Sequence, residues 1–132
     1  MHVQEMLNTH PAKHEIPFAR IRCIEACYSC AQSCIACADA CLAEEMVADL
    51  RQCVRLNLDC ADICAVTGVI ASRQTGSNRR TFRAVLEACA TSCHGCGEEC
   101  ARHADQHEHC RICAEECRVC AEACEKALAE LA

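Results

Sequence analysis

Cysteine is the residue type whose number and spacing point most directly to chemistry, since it supplies 18 of the 132 residues. Within the longer runs its steps alternate between three and four residues, which is the spacing of the inward positions of a helical heptad. Each run therefore predicts a helix that carries a row of thiols along one face. The four runs are Cys23, Cys27, Cys30, Cys34, Cys37 and Cys41; Cys53, Cys60 and Cys64; Cys89, Cys93, Cys96 and Cys100; and Cys110, Cys113, Cys117, Cys120 and Cys124.

Soft thiolates select Cu(I), zinc or iron–sulfur clusters, and the pattern of the rows favours Cu(I). Zinc sites are usually closed sets of four ligands, whereas these rows show no separation into fours. Several zinc ions with four thiolates each would also bury excess negative charge, while bridging thiolates with Cu(I) are neutral overall. Neutrality predicts on the order of one copper per cysteine. Iron–sulfur clusters usually bind in loops, and their Cys-Pro signature is missing from the sequence.

Structural and redox roles fit the thiols less well than metal binding does. Cysteine can serve as a small core residue, but leucine would fill 18 inward positions with better packing. Disulfide scaffolds are rich in loops, and neighbouring side chains on one helix face match disulfide geometry poorly. A redox protein needs a reactive pair at an exposed helix start, while most of these cysteines fall mid-helix. A zinc-binding, metallothionein-like buffer remains the main alternative. The sequence contains no plausible nucleophile–base pair, so we do not expect an enzyme.

Composition predicts an all-α protein. Only four glycines and two prolines interrupt the chain, and no run alternates with the period of a strand. Acidic and basic residues are mixed, with a formal net charge of −6, so nucleic-acid binding has little support.

No apolar run approaches the ~20 residues that cross a membrane, and the first residues do not resemble an export signal. We therefore expect a cytoplasmic protein without a membrane partner.

The predicted architecture is an antiparallel four-helix bundle. We expect an N-terminal segment over 1–16, with a possible short helix, and a bundle over 17–132. Gly76 is expected to break the chain, with Ser77 or Asn78 as the following cap, and Asp105 with Glu108 as a capping box for the last helix. The predicted helices are 17–42, 46–73, 79–103 and 106–130.

Short connections place the first and third turns of such a bundle at the same end. We call this end the mouth, and it collects Cys41, Met46, Cys53, Cys100, His103, His107, His109 and Cys110. The opposite end, the closed end, collects Phe18, Ile21, Val69, Ile70, Phe82, Val85, Leu86, Leu128 and Leu131. The sequence thus predicts a tube with an apolar base and an opening lined by metal ligands.

Four residues besides the cysteines are candidate ligands. Met46 is predicted to point inward one heptad before Cys53, where its thioether suits transient Cu(I) binding. His103, three residues after Cys100 on the same face, and His109, next to Cys110, are the favoured histidine ligands. Asn57 interrupts the thiol row of the second helix, where its amide could donate to a thiolate, offer its oxygen to an outer copper, or only fix the helix register.

A second apolar stripe runs beside the thiols of the first two helices. It predicts either a wide core flank or a surface between copies of the chain. Its members are Ile24, Ala31, Ile35, Ala38, Leu42, Val47, Val54, Leu58, Ala61 and Ala65.

The repeated C-x-x-x-C and C-x-x-C spacings, as in CIEACYSCAQSCIACADAC and CRICAEECRVCAEAC, resemble the four-helix-bundle copper storage proteins. The resemblance covers nearly the whole chain from Pro17 onward and is to the cytosolic branch of that family. It implies a homotetramer of bundles, each filled with Cu(I) along its axis and loaded from one end.

Overall fold

The computed structural model describes residues 2–12 and 15–131, and within these ranges it contains helices and turns but no strand. The elements are α1 (Val3–Asn8), α2 (Phe18–Ala43), a 3-10 turn (Val47–Leu50), α3 (Arg51–Ser72), α4 (Arg79–Arg102) and α5 (Glu108–Glu130). The predicted all-α class is confirmed.

Helices α2 to α5 form a ring in which α2 and α4 each pack against both α3 and α5. The bundle is antiparallel, since Arg20 at the start of α2 donates to the carbonyl of Ala71 at the end of α3. Likewise, Cys23 near the start of α2 lies 3.9 Å, sulfur to sulfur, from Cys124 near the end of α5. The heptad faces of all four helices consequently meet along one axis.

Two helix starts differ from the sequence prediction. The helix predicted from 46 begins at Arg51, because Val47–Leu50 adopts the tighter 3-10 form. The helix predicted from 106 begins at Glu108, and its N-cap His107 makes no side-chain capping bond, so the expected capping box is wrong. The chain turns first, with the amides of Gln106 and His107 both donating to the carbonyl of His103. Gly76 does break the chain, with a positive φ of 72° that favours glycine.

The closed end is filled by ordinary apolar packing. Ile21, Ile24, Phe82 and Leu86 are buried there, whereas Phe18 (71 % exposed) and Val69 (41 % exposed) lie on the surface rather than in the predicted base. The guanidinium of Arg20 lies 5.2 Å from the centre of the Phe82 ring. Burial of these side chains stabilises the bundle without any contribution from metal.

The N-terminal segment does form a short helix, and α1 buries Val3 and Leu7. The side-chain amide of Gln74, in the turn between α3 and α4, donates to the backbone carbonyl of Leu7 at 3.2 Å. Helix α1 therefore packs beside the closed end, far along the bundle from the mouth.

The predicted second apolar stripe divides into buried and exposed members, while Val47, Val54 and Ala65 are half-buried. Ile24, Ala31, Ala38 and Ala61 are buried inside the bundle and form the flank of the core. Ile35, Leu42 and Leu58 are exposed on the surfaces of α2 and α3.

Helix α2 is an exception to the expectation that no segment could span a membrane, because it passes that test by length and composition. Much of its apolar character comes from its six cysteines, and these are buried against the neighbouring helices. A core helix of a bundle has the same length and composition, so this signal is weak.

Candidate metal centre

All 18 cysteines are free and buried, which follows from their heptad spacing. Every one of their side chains is at most 1 % exposed. Neighbouring sulfurs lie 3.6 Å (Cys64 to Cys93) to 4.0 Å (Cys27 to Cys124) apart, both within helices and across them. A disulfide would need about 2.05 Å, whereas two sulfurs bound to one metal at about 2.3 Å each can lie this far apart.

The sulfurs gather in overlapping groups of four, each with all its ligand atoms within 4.8 Å of one another. The sequence predicted no division of the cysteines into sets of four. Sets of four do exist in the structure, but neighbouring sets share members. A shared sulfur can therefore bridge metals bound in two neighbouring sets. Cys120 belongs to the first two of the following groups, Cys30 to the second and third, and Cys34 to the third and fourth. The groups are Cys27, Cys89, Cys120 and Cys124; Cys30, Cys64, Cys93 and Cys120; Cys30, Cys34, Cys60 and Cys117; and Cys34, Cys96, Cys113 and Cys117.

Close packing of thiols shifts their pKa values in both directions. The hydrogen bond with Cys124 lowers the pKa of Cys23 to about 5, and the hydrogen bond with Cys117 lowers that of Cys30 to about 7. At the mouth, burial raises the pKa of Cys41 to about 12 and that of Cys110 to about 11. A thiol with a raised pKa is protonated at neutral pH, so binding a metal as thiolate must release its proton.

Asn57 lies inside the thiol core, and its amide is hydrogen-bonded entirely to cysteines. Its Nδ2 donates to Cys53 at 3.7 Å, while its Oδ1 accepts from Cys96 at 3.1 Å and from Cys100 and Cys113 at 3.4 Å each. The amide satisfies its polar atoms with the same sulfurs that would hold metal. It therefore joins three helices at the mouth half of the core.

His109 is the histidine that the structure brings to the thiols. Its Nδ1 lies 3.4 Å from the sulfur of Cys37 and 3.6 Å from that of Cys110. With Cys41 these residues form a further group of four potential ligands, all within 4.8 Å. The predicted site of a histidine beside the outermost cysteines thus has the geometry of a metal site.

His103 is held differently. Its Nε2 lies 2.8 Å from Oε2 of Glu99, a largely buried carboxylate that also pairs with Arg102. The hydrogen bond with Cys100 is the main cause of a lowered pKa at Cys53, to about 3, and the charge of His103 adds a smaller effect. His103 therefore lies near the outer thiols without making a direct contact of the kind that His109 makes.

Glu44 contacts two histidines near the start of α5. The α2–α3 and α4–α5 turns therefore lie together at the mouth, as predicted. Oε2 of Glu44 lies 2.5 Å from Nδ1 of His107 and 3.3 Å from Nε2 of His109. The two imidazole rings stack with their centres 5.5 Å apart. Carboxylates commonly orient metal-binding histidines in this way through the second ring nitrogen.

Sequence reasoning missed Glu44 and Glu99 as functional residues. Glu44 falls on the next heptad step after Cys41, but the predicted first helix ends at residue 42, so Glu44 was not counted among the inward-facing residues. The available signal was its position three residues after Cys41, in a turn expected beside the histidines. Glu99 directly precedes Cys100 and looked like an ordinary surface acid.

Met46 does not occupy the predicted inward position. It precedes the 3-10 turn and is 55 % exposed, while Leu50 is buried instead. The heptad count from Cys53 fails here because α3 begins only at Arg51. Met46 remains at the mouth, but on its outer surface.

His94 directly follows Cys93 in the sequence but lies off the thiol face. Its side chain is exposed, and its Nε2 lies 2.6 Å from Oε1 of Glu125 on the neighbouring helix. This pair is separate from the mouth.

Comparisons with known proteins agree with this geometry. The solved structure of the copper storage protein Ccsp from Streptomyces lividans, loaded with 10 copper equivalents, superposes with a TM-score of 0.92. It is 55 % identical and covers 96 % of this chain and 98 % of its own. A second structure, of a cytosolic copper storage protein from the same organism with five coppers, is 59 % identical with a TM-score of 0.83, covering 84 % of this chain and 92 % of its own.

More distant relatives come from Bacillus subtilis. The Cu(I)-bound copper storage protein BsCsp3 is 40 % identical with a TM-score of 0.70, covering 79 % of this chain and 92 % of its own. The uncharacterized cysteine-rich protein YhjQ is 40 % identical over 93 residues, which are 70 % of this chain and 81 % of that protein. Residues 18–129 match the family model described as copper storage protein. Because that match spans all four helices of the bundle, the chain belongs to the copper storage protein family.

Proposed function

We propose that this protein stores multiple Cu(I) ions on the thiolates of its bundle core and admits them through the mouth. The observation that carries the proposal is the overlap of the four-cysteine groups along the bundle axis. Shared sulfurs allow bridging thiolates, and one thiolate per Cu(I) leaves the buried core neutral. Capacity should therefore approach about one Cu(I) per cysteine.

All 18 cysteines are proposed as copper ligands, most of them bridging. Asn57 is proposed to contribute its amide oxygen beside the outer coppers, since it already accepts hydrogen bonds from three of the thiols concerned. A hydrogen bond from a thiol is lost once that thiol becomes a metal-bound thiolate. The freed oxygen is then available to a metal or to an incoming proton donor.

The mouth residues are proposed to pass copper inward. His109 faces Cys37 and Cys110 directly, which suits a first binding position. His103 lies near the outer thiols, and the exposed thioether of Met46 offers a soft, neutral ligand on the outer surface. Glu44 and Glu99 orient the histidines, as carboxylates do around other metal sites.

Storage rather than catalysis is the role we propose, in keeping with the names of the relatives. Buried Cu(I) thiolates exchange little with solvent, and the mid-helix thiols are a poor match to a redox-active pair. We also propose a cytosolic location, as stated for the Streptomyces relative. Nucleic acid and membrane are not among the proposed partners.

Assembly into a homotetramer is proposed from the resemblance to the family. The exposed side chains Ile35, Leu42 and Leu58 on α2 and α3 would supply the contact between copies. Measurement of the mass in solution by light scattering, for the protein and for an Ile35→Glu, Leu58→Glu double variant, tests this assignment. A tetramer that the double variant leaves intact would place the contact elsewhere.

The decisive experiment is an anaerobic titration of the fully reduced protein with Cu(I) against a competing chelator. We expect tight uptake approaching one Cu(I) per cysteine, with helix content by circular dichroism nearly unchanged, because the core is preformed. A parallel titration with zinc should saturate at far fewer ions. Saturation with only a few coppers and a preference for zinc would favour a zinc buffer instead.

A further inference from the structure

The group formed by Cys37, Cys41, His109 and Cys110 differs chemically from the all-cysteine groups described above, because it contains one imidazole. Three cysteines and one histidine are a familiar ligand set for closed, four-coordinate zinc sites. We propose that these four residues form a zinc site that closes the mouth of the copper-free protein. The proposal goes beyond copper storage and does not depend on it.

Three of the four ligand atoms already lie at distances close to those of tetrahedral zinc. With Zn–S near 2.3 Å and Zn–N near 2.0 Å, ligand atoms lie about 3.8 Å apart for two sulfurs and about 3.5 Å for sulfur and nitrogen. In the structure the sulfurs of Cys37 and Cys110 are 4.0 Å apart. Nδ1 of His109 lies 3.4 Å and 3.6 Å from those two sulfurs, and Cys41 is within 4.8 Å of all three atoms.

The far side of His109 provides independent support. Its Nε2 lies 3.3 Å from Oε2 of Glu44, so the proton belongs on Nε2 and the lone pair of Nδ1 faces the thiols. A carboxylate that accepts from a metal-bound histidine is a recurrent feature of zinc sites and raises the basicity of the ligand. The same carboxylate oxygen pairs with His107, which fixes its position further.

Charge favours this group over the axial ones for a divalent ion. Zinc with three thiolates and a neutral imidazole carries one negative charge, against two for a site with four thiolates. The axial groups are wholly buried, whereas the side chain of His109 is 27 % exposed and that of Glu44 is 33 % exposed. Because excess charge is costly to bury, the first zinc should bind at the mouth.

A zinc ion in this position would link α2 to the start of α5 and would occupy ligands at the opening. Incoming Cu(I) would then have to displace it before reaching the inner thiols. We therefore expect zinc-loaded protein to take up copper more slowly than the metal-free protein and to release one zinc per chain while doing so.

The first test is an anaerobic titration of the reduced full chain with zinc alone against a chromophoric chelator. Wild type should hold one zinc at least tenfold more tightly than any further zinc. His109→Ala should lose this first site, whereas the matched control His94→Ala, which removes an exposed histidine on α4, should keep it. Equal affinity of His109→Ala and wild type for the first zinc would overturn the proposal.

A second pair of variants locates the metal independently of the histidine. Cys41→Ser should lose the first zinc, and Cys124→Ser, which removes a member of an axial group, should retain it. Cobalt(II) in place of zinc should give the visible absorption of a tetrahedral site with three sulfurs and one nitrogen, altered in Cys41→Ser. The reverse pattern, with the site lost in Cys124→Ser, would place zinc in the axial core.

Circular dichroism of each variant shows whether it has folded, so a lost site is distinguished from a lost structure. Copper capacity measured on the same samples separates this proposal from copper storage. Full copper capacity without a tight zinc site would refute only the zinc proposal. A tight zinc site with low copper capacity would refute only copper storage.

Discussion

The two ends of the bundle differ in the side chains that line them and in their exposure to solvent. At the closed end, Ile21, Ile24, Phe82 and Leu86 pack as an ordinary core that needs no ligand. At the mouth, the outermost thiols meet imidazoles and carboxylates that are partly exposed to solvent. The apolar core that stabilises the fold and the proposed entry point for metal therefore lie at opposite ends of the bundle.

The largest effect should come from breaking the closed end. Leu86→Ala removes a fully buried side chain and should lower the free energy of unfolding of the metal-free protein by about 2–5 kcal/mol. Chemical denaturation followed by circular dichroism measures this loss. Ile112→Ala, at a half-exposed position on α5 outside the proposed contact between copies, is the matched control and should change stability far less. The separation of the two ends would be refuted if Leu86→Ala also reduced the copper bound per folded molecule.

A substitution at the mouth should change metal affinity rather than the stability of the fold. Glu44→Ala removes the carboxylate that orients His107 and His109, and should weaken the first bound Cu(I) by about 10- to 100-fold. Competition with a Cu(I) chelator at low copper measures this affinity. Glu45→Ala, the exposed neighbouring acid, is the control and should match wild type. Equal losses in both variants would show that general negative charge, rather than orientation, matters.

The pH dependence of stability should also distinguish metal-free from loaded protein. Burial raises the pKa of Cys41 from 9.0 to about 12, so the folded state holds this proton more tightly than the unfolded state. The resulting stabilisation is fully present below pH 9 and is lost as pH rises through about 12. Thermal unfolding between neutral and alkaline pH should show this decline in metal-free protein. Copper-loaded protein, whose thiols are already deprotonated, should show a smaller decline over the same range.

The smallest effect is expected at Met46, which lies on the outer surface of the mouth. Met46→Ala should slow copper uptake by no more than about twofold, since the exposed thioether can only assist transiently. Stopped-flow uptake measurements compare it with Met6→Ala, an exposed methionine on α1 at the other end. A loss of capacity in Met46→Ala would mean that the loop rearranges to bring this residue into the core.

Some of the mouth could be predicted from sequence and some could not. Short connections were enough to bring the α2–α3 and α4–α5 turns together, and Glu44 does meet His107 and His109. The start of α3 was not predictable from the heptad spacing of the cysteines, because a 3-10 turn does not follow the heptad repeat. Met46 was consequently predicted to be inward, and the buried Leu50 was overlooked.

The sequence by itself determined which face of each helix would carry sulfur. Heptad spacing is a local property of a helix, so the burial of every cysteine followed once the chain formed a bundle. Composition likewise determined the all-helical class, and the density of cysteine indicated Cu(I) thiolate chemistry.

The tertiary structure alone decided which sulfurs share a group and which polar residues reach them. Cys30, Cys64, Cys93 and Cys120 come from four different helices, and their proximity depends on the rotation and axial offset of each helix. These quantities are set by side-chain packing between segments distant in sequence. For the same reason, only the folded chain places Asn57 among thiols of other helices and His109 against Cys37.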